Sequence, residues 1–425
     1  MRDMNYEETL QYIHKVSWSG SRPGLERIRE LLRLAGEPQD GLKFVHVAGT
    51  NGKGSTCAML SSVLCEAGYR TGLFISPFVN RLNERIQLNN EPIADEELAR
   101  ITTMLRPIAE GMEDPPTEFE MITAVAFMYY KLKACDIVVL EVGLGGERDS
   151  TNIISTPEAA VITAMGFDHT KQLGGSMNEI AKAKAGIIKR GGDVVIYGEN
   201  TDAEAVFKSA AQTHGGRLHK PDFSALRLTR YDLDGQTFDY GSHIGLRIPL
   251  IGAYQLKNAA VAIKTAEVLV EKGWNIDEGA IKRGLARAFW PARFEVVGRR
   301  PIVIVDGGHN PHGVNATAES LRRYFPGKPV TFVIGVMADK DIKGMLPPIL
   351  PLASEFSAVR PDFYRAMPAK ELAGLIQAAG APAVAADSAE EGVKLAVRKA
   401  GPDGVVCALG SLYMSGDIRR YFGAE

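Results

Sequence analysis

The sequence predicts an α/β protein with two domains, each built around a mostly parallel β-sheet that helices cover. Its 425 residues exceed what one hydrophobic core usually supports. Apolar runs of strand length alternate with helix-like segments in two separate series, and this alternation is typical of parallel sheets. A polar segment, Glu295 to Arg300, lies between the two series. We therefore predict an N-terminal domain over residues 1–297 and a C-terminal domain over residues 298–425.

The first series supplies the strands of the N-terminal domain. It begins with the apolar run Phe44 to Ala48, and further strand-like runs lie at residues 71–75, 136–140, 160–163 and 194–197. The stretch 218–249 differs because its runs are shorter and alternate polar with apolar residues. That pattern predicts a small antiparallel appendage to the mostly parallel sheet.

The second series predicts a Rossmann-like C-terminal domain. Its strand-like runs lie at residues 301–306, 330–335, 356–359, 383–384 and 404–409. Helical patterns at residues 370–378 and 389–399 separate the later runs. This order is that of a doubly wound α/β fold, whose ligands bind at the carboxyl ends of the strands.

The composition is that of an ordinary globular protein, with 45% hydrophobic and 24% charged residues. A formal net charge of −2 excludes a general attraction to nucleic acid or to an anionic membrane. The first residues lack the apolar core of a signal peptide, so we expect a cytoplasmic protein. The four cysteines have no C-x-x-C spacing, which favours free thiols over disulfides or a zinc site.

A glycine-rich turn directly follows the Phe44 to Ala48 run and predicts a phosphate-binding loop. Its residues are Gly49, Thr50, Asn51, Gly52, Lys53, Gly54, Ser55 and Thr56. The glycines allow successive N–H groups to converge on phosphate oxygens at the start of a helix. A strict G-x-x-x-x-G-K-S/T pattern fails, since Val47 replaces the first glycine and Gly54 separates Lys53 from Ser55. The loop is thus a variant, and these residues alone leave an ordinary strand-to-helix turn open.

Three further segments carry candidate metal-binding chemistry. Glu141 ends an apolar run, and His169 follows the strand-like run 160–163, positions that face the ligand crevice of a parallel sheet. Several lysines crowd the helix-like segment 179–189. Crowding favours a neutral lysine amine, which can take up carbon dioxide to become a carbamate, an oxygen ligand suited to magnesium. A solvated basic face is the alternative for this segment. The G-x-G-G sequence of residues 143–146 lacks the last glycine of a dinucleotide fingerprint, so we exclude a nicotinamide cofactor.

Two polar turns in the second half occupy equivalent positions after strand-like runs. One spans residues 306–313 and the other residues 410–413. Turns at the carboxyl ends of strands are where ligand-facing loops belong. Together they predict that ligands bind in a cleft between the two domains.

The motifs taken together resemble folylpolyglutamate synthase and the bifunctional dihydrofolate synthase of bacteria. Those that carry the resemblance most specifically are residues 49–55, 76–77, 84–86, 141–146, 168–170 and 184–189. Residues 22–28, 254–260, 290–293, 306–313 and 410–413 also look like motifs of this family, in the family's order. The resemblance runs nearly end to end. It implies the two-domain fold of the ligase superfamily that includes the Mur enzymes, with a P-loop-type ATP-binding N-terminal domain.

The resemblance also implies roles for individual residues. It assigns Lys53 and Ser55 to the ATP phosphates, Ser76 and Glu141 to one magnesium ion, and His169 with a carbamylated Lys184 to a second. It places Asn258, Arg293 and Asp306 at the nucleotide, and His309, Ser411 and Arg85 around the incoming glutamate or the reacting carboxylate. The residues that it assigns to the pterin substrate are Phe119, Glu120, Arg148, Asp149 and Ser150. Catalytic roles would thus fall to Lys53, Lys184, His309 and Arg85.

The implied reaction is ATP-dependent addition of L-glutamate to dihydropteroate, to a reduced folate, or to both, with two Mg²⁺ ions. We expect the protein to be a monomer. Three departures from the family pattern stand out: Glu147 with Arg148 where the family usually has Arg-Leu, Tyr254 in place of a histidine, and Gly308 in place of an alanine. A folylpolyglutamate synthase alone and another Mur-type amino-acid ligase stay open as alternatives. A nucleotide-dependent switch or transport ATPase would leave the turns at 306–313 and 410–413 unexplained.

Overall fold

The computed structural model describes residues 2–15 and 24–424, so Arg22 and Pro23 of the 22–28 motif lie outside the described residues. Its contacts divide the chain into two compact units. The first comprises Met1–Ser224 with Lys257–Ala288, and the second comprises Ala225–Leu256 with Phe289–Glu425. Both units are α/β with largely parallel sheets, which confirms the predicted fold class. The units place residues 225–256 and 289–297 with the second half of the chain, and the boundary at residue 297 stays a prediction.

The sheet of the first unit has β1 at its centre. Its strands, within the described residues, are β1 (Phe44–Ala48), β2 (Thr71–Phe74), β3 (Ile86–Leu88), β4 (Glu91–Pro92), β5 (Ile137–Glu141), β6 (Ala159–Ile162), β7 (Asp193–Ile196) and β8 (Arg217–His219). They lie in the order β4-β3-β2-β5-β1-β6-β7-β8. Only β3 and β4 run antiparallel to their neighbours. The carboxyl ends of β1, β2, β5 and β6 therefore meet at one edge, which is where ligands bind in such sheets.

Helices cover this sheet and fix the position of its loops. Within the described residues these helices are α1 (Tyr6–Lys15), α2 (Glu26–Leu34), α3 (Lys53–Glu66), α4 (Asp95–Gly111), α5 (Glu118–Leu132), α6 (Thr170–Leu173), α7 (Met177–Ala185), α8 (Thr201–Thr213), α9 (Gln255–Glu271) and α10 (Glu278–Arg287). Short 3₁₀ turns span Leu82–Arg85, Ser150–Ile153 and Phe223–Ala225. Helix α3 is buried along most of its length. A side chain at Gly284 would lie 2.4 Å from the Val63 Cα, so α10 packs with its backbone directly on α3.

An ion cluster around the buried Asp193 ties β7 to β8 at the end of the sheet opposite the phosphate loop. The carboxylate of Asp193 accepts hydrogen bonds of 2.8 Å from Arg217 Nε and from His219 Nε2. Lys272 Nζ lies 3.8 Å from the same carboxylate. Burial alone would raise the pKa of Asp193, but the bonds from Arg217 and His219 lower it below its ordinary value. The ionised carboxylate is therefore part of what stabilises this edge.

We expect Asp193→Asn to destabilise the protein by roughly 1–3 kcal/mol at neutral pH, because Arg217, His219 and Lys272 lose a charged acceptor that is itself buried. The exposed Arg217 guanidinium is screened by solvent, which keeps the loss at the lower end of that range. Since the pKa of the folded state is lowered, the stabilisation is present above the pKa of the unfolded state and is lost as pH falls through the folded value. Thermal melts from pH 7 to pH 3 should show the wild type and variant converging. A gap that stays constant would contradict this account.

The second unit contains two sheets. Its strands are β9 (Leu226–Asp232), β10 (Gly235–Tyr240), β11 (His243–Ile248), β12 (Glu295–Arg299), β13 (Ile302–Val305), β14 (Val330–Ile334), β15 (Ala353–Ala358), β16 (Ala383–Ala385) and β17 (Val405–Leu409). The first three form the antiparallel sheet that the sequence predicts. The other six lie in the order β12-β13-β17-β14-β15-β16, parallel except for β12. Its helices are α11 (Pro311–Tyr324), α12 (Ile342–Met345), α13 (Ala369–Ala378), α14 (Ala389–Ala400) and α15 (Ser415–Tyr421), with 3₁₀ turns at Leu350–Leu352 and Leu412–Met414.

The polar segment from Glu295 to Arg300 contains a strand that the sequence patterns do not predict. Residues 295–299 form β12, an antiparallel edge strand paired with β13. Val296 packs against the buried core of the unit, and Glu295 accepts a 2.9 Å bond from Arg419 Nε. An edge strand keeps one side open to solvent and can carry polar residues there. Its sequence therefore lacks the continuous apolar run by which a buried strand is predicted.

All four cysteines are free thiols in the structure. Cys57, Cys135 and Cys407 are buried, and burial raises the pKa of each thiol, to about 12 for Cys135. Across residues 2–15 and 24–424, no helix has both the length and the apolar character needed to cross a membrane.

Candidate functional site

The predicted phosphate loop connects β1 to α3 and is tied to the end of β6. The N–H groups of Thr50 and Asn51 both donate to the carbonyl oxygen of Ala164, at 3.0 and 3.1 Å. The Thr50 hydroxyl donates to the carbonyl of Gly166 at 3.0 Å. Gly52 has φ +84° and lies at the N-cap position of α3, so Lys53 is the first residue of the helix. The loop therefore presents a helix N-terminus and a lysine at the carboxyl edge of the sheet, as anion binding requires.

We expect Gly52→Ala to raise the KM for ATP by about tenfold, because a side chain costs about 1–2 kcal/mol at this positive φ. The added Cβ would also lie 2.5 Å from Asn258 Oδ1. The matched control is Gly68→Ala, which has φ +90° just beyond the end of α3 with open space around it. It carries the same backbone strain outside the loop, so it should leave the KM for ATP unchanged. Equal effects of the two variants on KM would contradict a phosphate role for the loop.

Two predicted site residues, Lys53 and Lys184, both contact this loop. The buried Lys184 Nζ, on α7, donates to the carbonyl oxygen of Gly49 at 2.8 Å. Lys53 Nζ lies 3.3 Å from the carbonyl oxygen of Thr50. Burial, together with the charge of Lys53, lowers the pKa of Lys184 to about 7, although Asp168 and Asp149 act in the opposite direction. A substantial fraction of Lys184 is therefore neutral near pH 7, and a neutral amine is what carbamate formation requires.

The structure brings the predicted metal pair Ser76 and Glu141 together. Glu141 ends β5 and is buried, and its Oε2 accepts a 3.0 Å hydrogen bond from the backbone N–H of Ser76, just beyond β2. A carboxylate and a serine hydroxyl both supply the oxygen atoms that Mg²⁺ prefers as ligands. These residues fit a magnesium site.

His169, predicted for the second magnesium, is exposed at the start of α6 with φ +50°. The backbone N–H of His169 donates to Asp168 Oδ1 at 2.8 Å, and the ring nitrogen Nε2 lies 4.0 Å from the same oxygen. Among the residues that the structure describes, no group of three or more His, Cys, Asp or Glu is arranged to hold a metal. Ser76 and Lys184 are of other residue types, so the predicted ligand sets stay predictions.

The segment predicted to contact the pterin contains one exposed and two buried residues. Arg148 is exposed, whereas Asp149 and Ser150 are buried. Asp149 accepts hydrogen bonds from Thr151 N at 3.0 Å and from Leu144 N at 2.8 Å. Burial raises the pKa of Asp149, while these hydrogen bonds oppose the rise. The Asp149 carboxylate thus holds the turn after β5 in place.

Phe119 and Arg85, predicted for the pterin and the reacting carboxylate, lie together. The Arg85 guanidinium is 5.9 Å from the Phe119 ring centroid and 5.4 Å from that of Phe78. The neighbouring Glu120 is instead engaged within the protein. Its buried carboxylate accepts from Arg27 Nε at 2.9 Å and from Thr117 N at 2.7 Å, capping α5. Both bonds are accepted by Oε2, and the predicted pterin contact of Glu120 stays a prediction.

In the second unit, Asp306 organises the turn that follows β13. Its carboxylate accepts hydrogen bonds of 2.7–2.9 Å from Tyr254 Oη, Phe294 N, Gly308 N and Thr317 Oγ1. Burial and this carboxylate raise the pKa of Tyr254 well above its usual range. Tyr254, one of the departures from the family pattern, therefore donates as a neutral phenol.

The two polar turns of the second half are neighbours, because Gly410 N donates to Gly308 O at 2.9 Å. His309 Nδ1 lies 2.8 Å from Gly307 O, and the buried Ser411 Oγ accepts from Tyr413 N at 3.2 Å. A Cβ on Gly307 would lie 2.1 Å from an Arg293 guanidinium nitrogen, so Arg293 crosses directly over this turn. The predicted residues Arg293, Asp306, His309 and Ser411 thus share one edge of this sheet.

Comparison with known proteins identifies the family. Residues 47–266 match the Mur ligase middle domain, and residues 292–412 match the Mur ligase glutamate ligase domain. Folylpolyglutamate synthase of Lacticaseibacillus casei is 37% identical, with 98% of each chain covered. The chain belongs to the folylpolyglutamate and dihydrofolate synthase family. The resemblance of the motifs is thereby confirmed.

Other members of the folylpolyglutamate and dihydrofolate synthase family agree in sequence and fold. The dihydrofolate synthase/folylpolyglutamate synthase of Bacillus subtilis is 35% identical, with 98% of each chain covered. Mycobacterium tuberculosis folylpolyglutamate synthase, solved with ADP, superimposes with a TM-score of 0.92 at 27% identity, covering 99% of this chain and 98% of that one. An FPGS–AMPPCP–folate complex gives 0.87 at 35% identity, covering 98% and 99%.

Two residues that shape this family member's site, Ala164 and Glu84, belong to none of the predicted sets of site residues. The Ala164 carbonyl anchors the loop through its backbone, which no residue type reveals. Glu84 accepts from the N–H groups of residues 79, 80 and 81 at 2.8–2.9 Å and so fixes the segment between Ser76 and Arg85. Its position beside Arg85 in the 84–86 motif was the available signal.

Proposed function

We propose that this protein is an ATP-dependent ligase that forms an amide between the α-amine of L-glutamate and a carboxylate of dihydropteroate, of a reduced folate, or of both. The observation that carries the proposal is that Lys53 and the buried Lys184, whose pKa is lowered to about 7, both contact the glycine loop between β1 and α3. Phosphoryl transfer needs such positioning and charge more than covalent help from the protein. The relatives named for both synthase activities support the acceptor class.

In the proposed reaction the terminal phosphoryl group of ATP passes to the acceptor carboxylate, and ADP leaves. The resulting acyl phosphate is attacked by the glutamate α-amine, which loses a proton as phosphate departs and the amide forms. Lys53 and the N–H groups of the loop would hold the phosphates, with Asn258 behind Gly52. Roles at the glutamate or the reacting carboxylate are proposed for Arg85, His309 and Ser411 from the family resemblance.

Two Mg²⁺ ions are part of the proposal, held by Ser76 and Glu141 and by His169 and carbamylated Lys184. Bound magnesium supplies neutralisation of phosphate charge. The protein's share is to provide the ligands: Glu141 is held by the Ser76 N–H, and the lowered pKa of Lys184 leaves an amine able to react with carbon dioxide. That reaction forms an N–C bond and releases one proton, giving an anionic oxygen ligand.

The decisive experiment offers the purified protein Mg-ATP and L-glutamate with dihydropteroate in one tube and tetrahydrofolate in another. A third tube omits the acceptor. ADP release and product mass are followed together. A gain of one glutamyl unit in both tubes is expected of the bifunctional enzyme, whereas a gain with tetrahydrofolate alone identifies a folylpolyglutamate synthase. Equal ADP release in the tube without acceptor would overturn the proposal in favour of a switch ATPase. If no ADP were released with either acceptor, another Mur-type ligase would be favoured.

We also propose that the enzyme acts in the cytoplasm as a monomer on these small-molecule substrates, without nucleic acid or membrane. The small net charge supports the absence of a general polyanion partner. Sedimentation at assay concentration tests the monomer, and a mass of twice the chain would refute it.

A further inference from the structure

We infer that His46 is a positioning residue that fixes the pterin-facing segment 143–151 through a buried chain of hydrogen bonds. The inference rests on the proposed function, because Arg148, Asp149 and Ser150 of this segment are the proposed pterin contacts. His46 lies within β1, three residues before the phosphate loop begins at Gly49. It belongs to none of the predicted sets of site residues.

The chain runs from β1 to the turn that follows β5. His46 Nε2 lies 2.9 Å from the hydroxyl oxygen of Thr151. That hydroxyl lies 2.5 Å from Asp149 Oδ1, and Asp149 Oδ2 accepts from the N–H of Leu144 at 2.8 Å. His46 and Thr151 are fully buried and Asp149 is 5% exposed, so water does not compete for these bonds.

The chemistry of the three side chains sets the direction of the bonds. Asp149 faces donors at both oxygens, namely Leu144 N, Thr151 N and the Thr151 hydroxyl, and so acts as an acceptor throughout. The Thr151 hydroxyl therefore donates its proton to Asp149, and the Thr151 oxygen accepts a hydrogen bond from His46. Burial, with some help from Lys189, lowers the pKa of His46 to about 3, so the ring is neutral. His46 therefore carries its single proton on Nε2.

Packing of β1 does not explain a histidine at this position. The other ring nitrogen, Nδ1, is buried and has no hydrogen-bond partner among the described residues. A buried acceptor without a partner is destabilising, and a leucine of similar size would fill the same space without it. The remaining polar contact of His46 is the one to Thr151. We therefore attribute the histidine to the orientation of Thr151 and Asp149.

Strand β1 therefore contributes to both proposed substrate sites. Its carboxyl end leads into the loop proposed for ATP, and its His46 side chain orders the segment proposed for the pterin. Loss of the chain should loosen Asp149 and the Leu144 amide while the loop keeps its separate anchor at Ala164. The expected signature is a change in the KM for the pterin acceptor without one in the KM for ATP.

The test compares His46→Leu and Thr151→Val, which break the chain, with His46→Gln and Thr151→Ser, which keep a donor and a hydroxyl at the same places. We expect each breaking variant to raise the pterin KM by about tenfold, the effect of one lost buried hydrogen bond, with the ATP KM within about twofold. The conservative variants should recover most of the affinity. The His46→Leu/Thr151→Val double variant should be no worse than either single one, because both break the same chain.

Hydrogen exchange provides a second readout that needs no substrate. Faster exchange in the peptide containing Leu144, in both breaking variants and not in the conservative ones, supports the positioning role even if the wild type forms no glutamyl product and the proposed function fails. The inference is overturned if the KM values for pterin and ATP rise together. It is also overturned if Thr151→Ser behaves as Thr151→Val does, or if exchange near Leu144 is unchanged.

Discussion

Replacement of Lys53 by alanine is expected to leave the fold intact and to lower turnover by about a thousandfold or more, the scale seen when a principal charge on a transferring phosphoryl group is removed. Lys53 is the first residue of α3, and its ammonium group lies beside the Thr50 carbonyl, inside the proposed phosphate loop. Its side chain is only half-buried, so the truncation leaves no large cavity. The measurement is ADP release together with product mass under saturating acceptor and glutamate.

Lys208→Ala is the matched control for this variant. Lys208 is exposed on α8, another helix of the same unit, so its removal tests the loss of one surface ammonium group. Lys208→Ala should retain wild-type turnover. Lys53→Arg keeps the charge but changes its shape, and partial activity in that variant would locate the requirement in the compact ammonium group. Near-normal turnover of Lys53→Ala would refute the assignment of this loop to ATP.

The parts of the fold that local patterns predict correctly are those with short-range causes. A buried parallel strand is an almost continuous apolar run, so β1, β5 and β14 are visible in the sequence within one residue of their ends. The glycine loop is visible because only glycine tolerates its positive φ values. By contrast, β12 is an edge strand with one side open to solvent, so its polar residues do not form the apolar run that indicates a strand.

The site contacts that the sequence does not reveal join residues far apart in the chain. Lys184 meets Gly49 across 135 positions, and His46 meets Thr151 across 105. Each residue alone has an ordinary alternative, a surface lysine in one case and a strand histidine in the other. Only the order of strands in the sheet brings them together, because β1, β5 and β6 are neighbours. The resemblance to a known family supplied Lys184 but gave no reason for its lowered pKa, which lies in its burial beside Lys53.

Because Lys184 is buried and its pKa is lowered, we expect the turnover of the enzyme to depend on carbon dioxide. We expect wild-type turnover to fall by at least about tenfold when carbon dioxide is removed from the buffer and to recover when bicarbonate is added, because a carbamate forms reversibly on a neutral amine. The pKa of Lys184 is lowered to about 7, so below pH 7 the amine is increasingly protonated and cannot react. The acid limb of the pH–rate profile should therefore move to lower pH as the bicarbonate concentration rises.

Lys184→Ala should be nearly inactive and insensitive to bicarbonate, since it removes the amine on which the proposed second magnesium site depends. Lys182→Ala, on the same helix but exposed, is the matched control and should keep both turnover and the bicarbonate response. Carbon-13 NMR with labelled carbon dioxide should show a carbamate signal in the wild type and in Lys182→Ala that is missing from Lys184→Ala. Full activity of the wild type in buffer free of carbon dioxide, with no such signal, would instead leave Lys184 as an amine bound to the Gly49 carbonyl. Its role would then be to hold the loop in shape, and the second metal would need another anionic ligand.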